Sequence, residues 1–260
     1  MGEKISFGKV VYLDEQAVLD FLQLKNDGEQ LKVIKQVSES VLGIEAEASV
    51  GKGLFGLAKL NLSGNAAKKK NNIVETQISN TLISSFKKVI EEGNSLIEKV
   101  SDSDLYIHKN SPAYYRNLAP MLNMIDDINK LSSFNEEDRR SFQGINIQNM
   151  EKTLDLLSGY YEFICETEDK KMILRFNISG LRNNYTLNDL TKMNLQIFGI
   201  KVGESKDLNL NFDHQLDIMT QDVGEKSESV IGSDFDIEQE EVARTEENLY
   251  PIIDVLMAGV

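Results

Sequence analysis

Residues 160–177 read YYEFICETEDKKMILRFN, two strand-like runs on either side of a polar turn. YYEFICET and KMILRFN are each rich in aromatic and β-branched residues, and Glu168-Asp169-Lys170 between them has the composition of a hairpin connection. Outward from this hairpin, Thr186 with Asp189 three residues later forms a capping-box-like start for a short helix. NLQIFGIKV (194–202) and PIIDVLMAGV (251–260) then add two apolar strands. The expected fold is α+β: mixed helices and antiparallel hairpins, with a small C-terminal antiparallel β-β-α-β unit closed by a terminal strand. Residues 159–260 form this region, interrupted by an acidic excursion at about 203–247.

Residues 1–158 read as a helical and β-hairpin region. FGKVVYL (7–13) is a short strand, and Asp14 caps a helix through about Lys25 with Val18, Phe21 and Leu22 as its buried stripe. A helix from Thr76 to Glu92 carries Ile78, Leu82, Phe86 and Val89 at helical spacing and is closed by Gly93. SLIEKV and LYIH flank Ser101–Asp104 as a second short hairpin. Ser111-Pro112 starts a further helix that Pro120 interrupts or kinks, before a segment with Met124, Ile125, Ile128 and Leu131. Another helix is expected over about 147–158.

The long glycine-studded stretch of this half, Val41 to Asn72, alternates apolar and polar residues on both sides of Gly51, Gly53 and Gly56. It reads as a hairpin over about 41–64 whose tip carries Leu54 and Phe55 between Lys52 and Lys59. Gly51 to Gly56 matches G-x-G-x-x-G, but Glu45 and Glu47 suit no buried parallel strand, and the following LAKLNLSGN alternates like a strand. Nucleotide binding is therefore not expected. A phosphate-binding-loop reading of Ala46 to Gly53 fails because Gly53 stands where a hydroxyl must reach magnesium. The hairpin packs its apolar face on the core, or its lysine-flanked apolar tip enters an anionic membrane, each lysine contributing about 1 kcal/mol near the surface.

Charge is polarised. The chain of 260 residues carries −14 formally; fourteen acids against Lys206, Lys226 and Arg244 place 3 − 14 = −11 between Gly203 and Glu247. Val41 to Asn72 holds five lysines against two glutamates, 5 − 2 = +3. A nucleic-acid binder carries a dominant basic surface, so none is expected as partner. The one cysteine, Cys165, excludes an internal disulfide and reads as a buried apolar filler. No apolar signal-peptide core opens the chain, and no run approaches the roughly 18 apolar residues of a membrane helix. Met1-Gly2 with Ser6 matches the short myristoylation pattern.

No residues combine into a catalytic or metal-binding motif, and no cofactor is implied. His108 and His214 lack ligand-type neighbours and read as ordinary surface or hairpin histidines. Asp234, Asp236 and Glu238, with Glu240 and Glu241, lack the glycine and bidentate glutamate of a calcium loop and read as a solvated acidic segment able to dock a partner.

Several pieces together carry a family resemblance: VVYLDEQAVLDFL, the Gly/Ala hairpin followed by ISNTLISSF, RFNISGL with YTLNDL, IFGIKVG, and YPIIDVLMAGV. The chain resembles a bacterial and phage-associated domain of unknown function, similar to the DolA component of two-gene Dodola anti-phage systems. The resemblance spans nearly the whole chain and brings no established active-site residues. It implies a role in antiviral defence beside a Clp-type AAA+ ATPase. The expected function is a non-enzymatic cytoplasmic effector or adaptor, membrane-associated on activation if the hairpin inserts, with homo-oligomer formation left open. The alternative is a soluble module that recognises a phage or host protein and has no membrane role.

Overall fold

A computed structural model describes residues 7–25, 65–122, 154, 159–212, 214–215 and 249–260. The elements are β1 (Val10–Leu13), α1 (Glu15–Lys25), α2 (Asn65–Glu92), β2 (Glu98–Val100), β3 (Asp104–Tyr106), α3 (Pro112–Leu122), β4 (Tyr160–Glu166), β5 (Lys171–Asn177), α4 (Leu187–Leu190), β6 (Gln196–Ser205) and β7 (Tyr250–Gly259). Single 3-10 turns follow β5 (Ile178–Gly180) and β6 (Asp207–Leu210). The fold is α+β, as expected.

The seven strands form one sheet in the order β2-β6-β7-β5-β4-β3, with β1 also on β7. The hairpin that opened the reading forms as expected, β4 and β5 pairing from Tyr160↔Asn177 to Glu166↔Lys171. The sheet is mixed rather than antiparallel throughout, because β7 lies parallel to β5 at Ile173↔Ile252 to Arg175↔Asp254. The remainder of that edge of β7 pairs antiparallel with β1. β7 is thus the central strand, shared by β1, β5 and β6.

SLIEKV and LYIH do not pair with each other. Val100 of β2 faces Ile197 of β6, and Asp104 of β3 faces Glu166 of β4, at the opposite ends of the strand order. This arrangement forces the sheet to curl. Four residue steps from Val100 to Asp104 span at most about 14 Å, whereas the edges of a flat six-strand sheet stand about 24 Å apart. The short link pulls the edges together, and every strand sends residues into one enclosed cluster. Val11, Val100, Leu105, Phe163, Leu174, Ile197 and Val255 meet there, closed over by Leu187 and Leu190 of α4. Cys165 is fully buried among them, as its alternation with Phe163 implies.

Bulges make this closure compatible with the sequence. Three register shifts leave Val11 of β1, Leu256 of β7 and Val202 of β6 without partners of their own. Each turns one strand by a residue, so Val11 and Tyr12 both enter the inner cluster while Leu256 and Met257 both face outward. The consecutive apolar run at the end of β7 is the record of that change of face.

Outside, α1 and α2 pack on β1, β6 and the end of β7. Val18, Phe21 and Leu22 meet Ile78, Leu82, Phe86 and Val89 over Leu13, Phe198 and Met257. Phe21 and Phe86 meet edge to face at 5.9 Å, and burying one such side chain stabilises by roughly 1.5–3 kcal/mol. α2 begins at Asn65, eleven residues before the expected start, and takes in Lys68 to Lys70. Ala66, Ala67 and the lysines are strong helix formers, which outweighs their lack of an apolar stripe. It ends at Gly93, whose φ of +80° suits glycine. α3 starts with Ser111 Oγ accepting the Tyr114 amide and runs on past Pro120 to Leu122, so the proline lies within the last turn.

The acidic excursion begins as structure. β6 runs to Ser205, and the next 3-10 turn inserts buried Leu210 against Ile164 and Ile173 on the outer face of the hairpin. The expected 41–64 hairpin, the helix over 147–158 apart from Leu154, and residues 216–247 of the excursion lie outside the described residues.

Candidate site: a polar cleft where β1, α1 and α2 meet the turn after β5

Asp14 links the end of β1 to α1. It is 5% exposed, and both carboxylate oxygens are engaged: Oδ1 accepts the Ala17 amide at 3.0 Å, and Oδ2 accepts Asn177 Nδ2 at 2.9 Å. It caps α1 as expected, and it also grips the last residue of β5. Asn177 Oδ1 in turn accepts the amide and hydroxyl of Ser179, shaping the 3-10 turn. Its own amide donates to the Tyr12 phenol at 2.7 Å.

The turn then passes directly over Tyr12. A Cβ on Gly180 would lie 2.3 Å from a Tyr12 ring carbon, so the approach needs glycine. Arg182 donates its amide to Val11 O, and Asn183 and Asn184 take φ of +56° and +61°, a conformation asparagine tolerates well. Asn183 Nδ2 donates to Val10 O at 3.2 Å. Arg182 Nη1 reaches across to α1 and α2, donating to Glu15 Oε1 at 3.0 Å and Ser79 Oγ at 2.5 Å, while Ser79 donates to the same Glu15 oxygen at 2.7 Å.

These groups line a cleft of about 380 Å³, near the small end of the ~300–1,000 Å³ range of ligand sites. Its electrostatics are acidic: Asp14 and Glu15 against Arg182 leave 1 − 2 = −1 among the lining side chains. Burial pushes the Tyr12 phenol far above its ordinary range, and the Asp14 charge adds to that. Tyr160 is also pushed up, by burial first and then by Asp254 and Asp14.

A second polar array crosses the outer face between the two apolar clusters. Glu162, Arg175 and Asp254 stand in register on β4, β5 and β7. Arg175 grips Asp254 in a two-pronged pair at 2.6 and 3.0 Å and stacks on Tyr160 at 4.7 Å. Burial raises the Glu162 carboxyl above its usual range, with Arg175 opposing the shift.

Lys52, Leu54, Phe55 and Lys59 of the hairpin tip, and Asp234, Asp236, Glu238, Glu240 and Glu241, lie outside the described residues. His108 and His214 are not plain surface residues: each buries Nδ1 without a hydrogen-bond partner among the described residues. Their segments adjoin, since Phe212 donates its amide to Asn110 O at 2.8 Å and its ring meets Tyr115 at 6.0 Å. Among the described residues no group of three His, Cys, Asp or Glu side chains is placed to hold a metal ion. No helix among them is long and apolar enough to cross a membrane. Reading the sequence found Asp14 as a cap but missed Glu15, Ser79, Arg182 and Asn183. Their partners are 64 to 173 residues apart, and only Ser79, a polar residue beside Ile78 on a buried stripe, left a local trace.

The fold is α+β, built on one curled mixed sheet, with a polar cleft where α1 and α2 meet the turn after β5. The chain belongs to the DUF6414 family of domains of unknown function, whose model matches residues 8–260. No curated protein and no solved structure matches it.

Proposed function

We propose that this chain is a non-enzymatic adaptor or effector of bacterial anti-phage defence that works beside a Clp-type AAA+ ATPase. The likeness of VVYLDEQAVLDFL, RFNISGL and YPIIDVLMAGV to the DolA component of Dodola systems supports the defence role and the partner. The observation that carries the non-enzymatic half is the bonding of the acids in the cleft. Glu15 Oε1 is taken by Arg182 and Ser79, and both Asp14 oxygens are taken by Ala17 and Asn177. A general base directs a lone pair at its substrate; three of these four carboxylate oxygens instead hold β1, α1, α2 and β5 together, and the fourth, Glu15 Oε2, belongs to a carboxylate whose charge is already paired with Arg182. The test is co-expression with the Clp-type AAA+ ATPase that the resemblance implies. The tagged chain should co-purify with the ATPase, and protection against phage should need both. Full protection by the chain alone would overturn the reading.

The membrane form of this proposal rests on the sequence of the 41–64 stretch. The trigger releases the Leu54-Phe55 tip into an anionic bilayer, flanked by Lys52 and Lys59. Purified chain should then leak anionic liposomes, and a Leu54→Asp, Phe55→Asp variant should not. Equal leakage from the two proteins rejects it. In the soluble alternative the acidic segment around Asp234–Glu241 captures a phage or host protein. Because Leu210 belongs to the core, the matching deletion keeps residues through 215 and removes 216–247. Unchanged partner capture by that variant rejects the alternative.

A further inference from the structure

The cleft contains two carboxylates and one guanidinium, and the guanidinium is already committed. Arg182 Nη1 is directed at Glu15 and Ser79, and the positive end of α1 is offset by the Asp14 cap and by Glu15 in the first turn. The acceptor capacity that remains is larger. Glu15 Oε2, Gln16 Oε1 and Asn183 Oδ1 make no hydrogen bond among the described residues, while their companion atoms are held by Arg182, Asp20 and Val10. Glu15 is held in place by Arg182 and Ser79, so a ligand meets its second oxygen with little further ordering. An entering group that fits these acceptors brings several N–H donors and a positive charge.

We propose that this cleft receives a lysine or arginine side chain of a partner protein, bound through Glu15, Gln16 and Asn183. The proposal rests on the adaptor reading above and names the surface by which the adaptor holds its partner. A volume of about 380 Å³ accommodates one such side chain with its flanking backbone. Glu15 supplies the charge-assisted bond, and Gln16 and Asn183 accept the remaining donors.

The test uses the full chain and two probes, Nα-acetyl-arginine amide and Nα-acetyl-lysine amide, followed by amide shifts in nuclear magnetic resonance. Nα-acetyl-citrulline amide, the neutral counterpart of the first, is the control. The cationic probes should shift the signals of Glu15, Gln16, Ser179 and Asn183, and citrulline should not. Glu15→Gln keeps an acceptor for Arg182 and Ser79 and should weaken binding about tenfold. Asn183→Gly keeps the left-handed backbone, removes one acceptor, and should weaken binding with the fold intact. Equal binding of citrulline, shifts that map elsewhere, or undiminished binding by folded Glu15→Gln overturns the proposal. Absence of any cationic-probe shift in the parent chain with ATPase co-purification intact rejects the cleft and spares the adaptor reading. Probe binding without ATPase co-purification does the reverse.

Discussion

The phenol oxygen of Tyr12 accepts the backbone amide proton of Asn177 at 2.7 Å, across 165 residues of chain. It joins the first strand to the end of β5 inside a ring contact, since Tyr12 also meets Phe176 edge to face at 4.9 Å. Tyr12→Phe keeps the ring and leaves a buried N–H without its acceptor, which costs about 1–3 kcal/mol. Urea unfolding should show a lower midpoint at unchanged slope. An unchanged midpoint would mean that the Asn177 amide has another acceptor.

Gly180→Ala sets a methyl group against that same ring. Tyr12 is fully buried and tethered by its hydroxyl, so it cannot retreat, and the substitution should cost about 1–3 kcal/mol. The cost should shrink in a Tyr12→Leu background. Simple additivity of the two changes in a double-mutant cycle would separate the residues energetically and contradict the geometry.

Asp14→Ala removes the cap of α1 and the acceptor for Asn177 Nδ2 together. The cap alone is worth about 0.5–2 kcal/mol. Asp14→Asn retains an acceptor for the Ala17 amide and should lose less. Thermal melts of the two variants side by side check the order; a reversed order would place the main contribution elsewhere.

Arg182→Met breaks the bonds to Glu15 and Ser79, which join the turn to both outer helices. Both charged side chains keep partial contact with water, 28% and 22% exposed, so the expected loss is about 1–2 kcal/mol, well under that of a fully buried pair. Hydrogen exchange should rise first in α2 around Ser79. Faster exchange confined to the 178–184 turn would count against a role in holding α2.

Glu162 gives the pH prediction. Its folded carboxyl titrates above the ordinary value because burial disfavours the charge. The folded state therefore binds more protons than the unfolded one, and this residue's contribution falls as pH rises from the ordinary carboxylate value through the raised one. Glu162→Gln should be more stable than the parent at neutral pH, with the gain vanishing in acid below the ordinary carboxylate range. A gain that grows toward low pH would have the wrong sign.

Much of the element structure could be read locally. Aromatic and β-branched composition marked β4 and β5, a polar turn set their pairing, Asp14 and Ser111 announced helix starts, and Gly93 announced a helix end, because each signal acts within a few residues. The start of α2 was missed because propensity without an apolar stripe leaves no periodic pattern. The β2–β3 pairing was misread because a short turn between two strands looks the same whether it joins neighbours or bridges the two edges of a curled sheet.

What the sequence determined by itself is the set of strands and caps and the apolar faces they must bury, since period and capping chemistry are written in adjacent residues. Tertiary structure alone decided the rest. It closed the sheet by placing β2 and β3 on opposite edges, set β7 parallel to β5, and used bulges to turn Leu256 outward. It also assembled the cleft, because Glu15, Ser79, Arg182 and Asn183 are ordinary polar residues until the curled sheet brings α1, α2 and the turn after β5 to one place. Hydrogen bonds between such distant residues have no local period, so only folding reveals them.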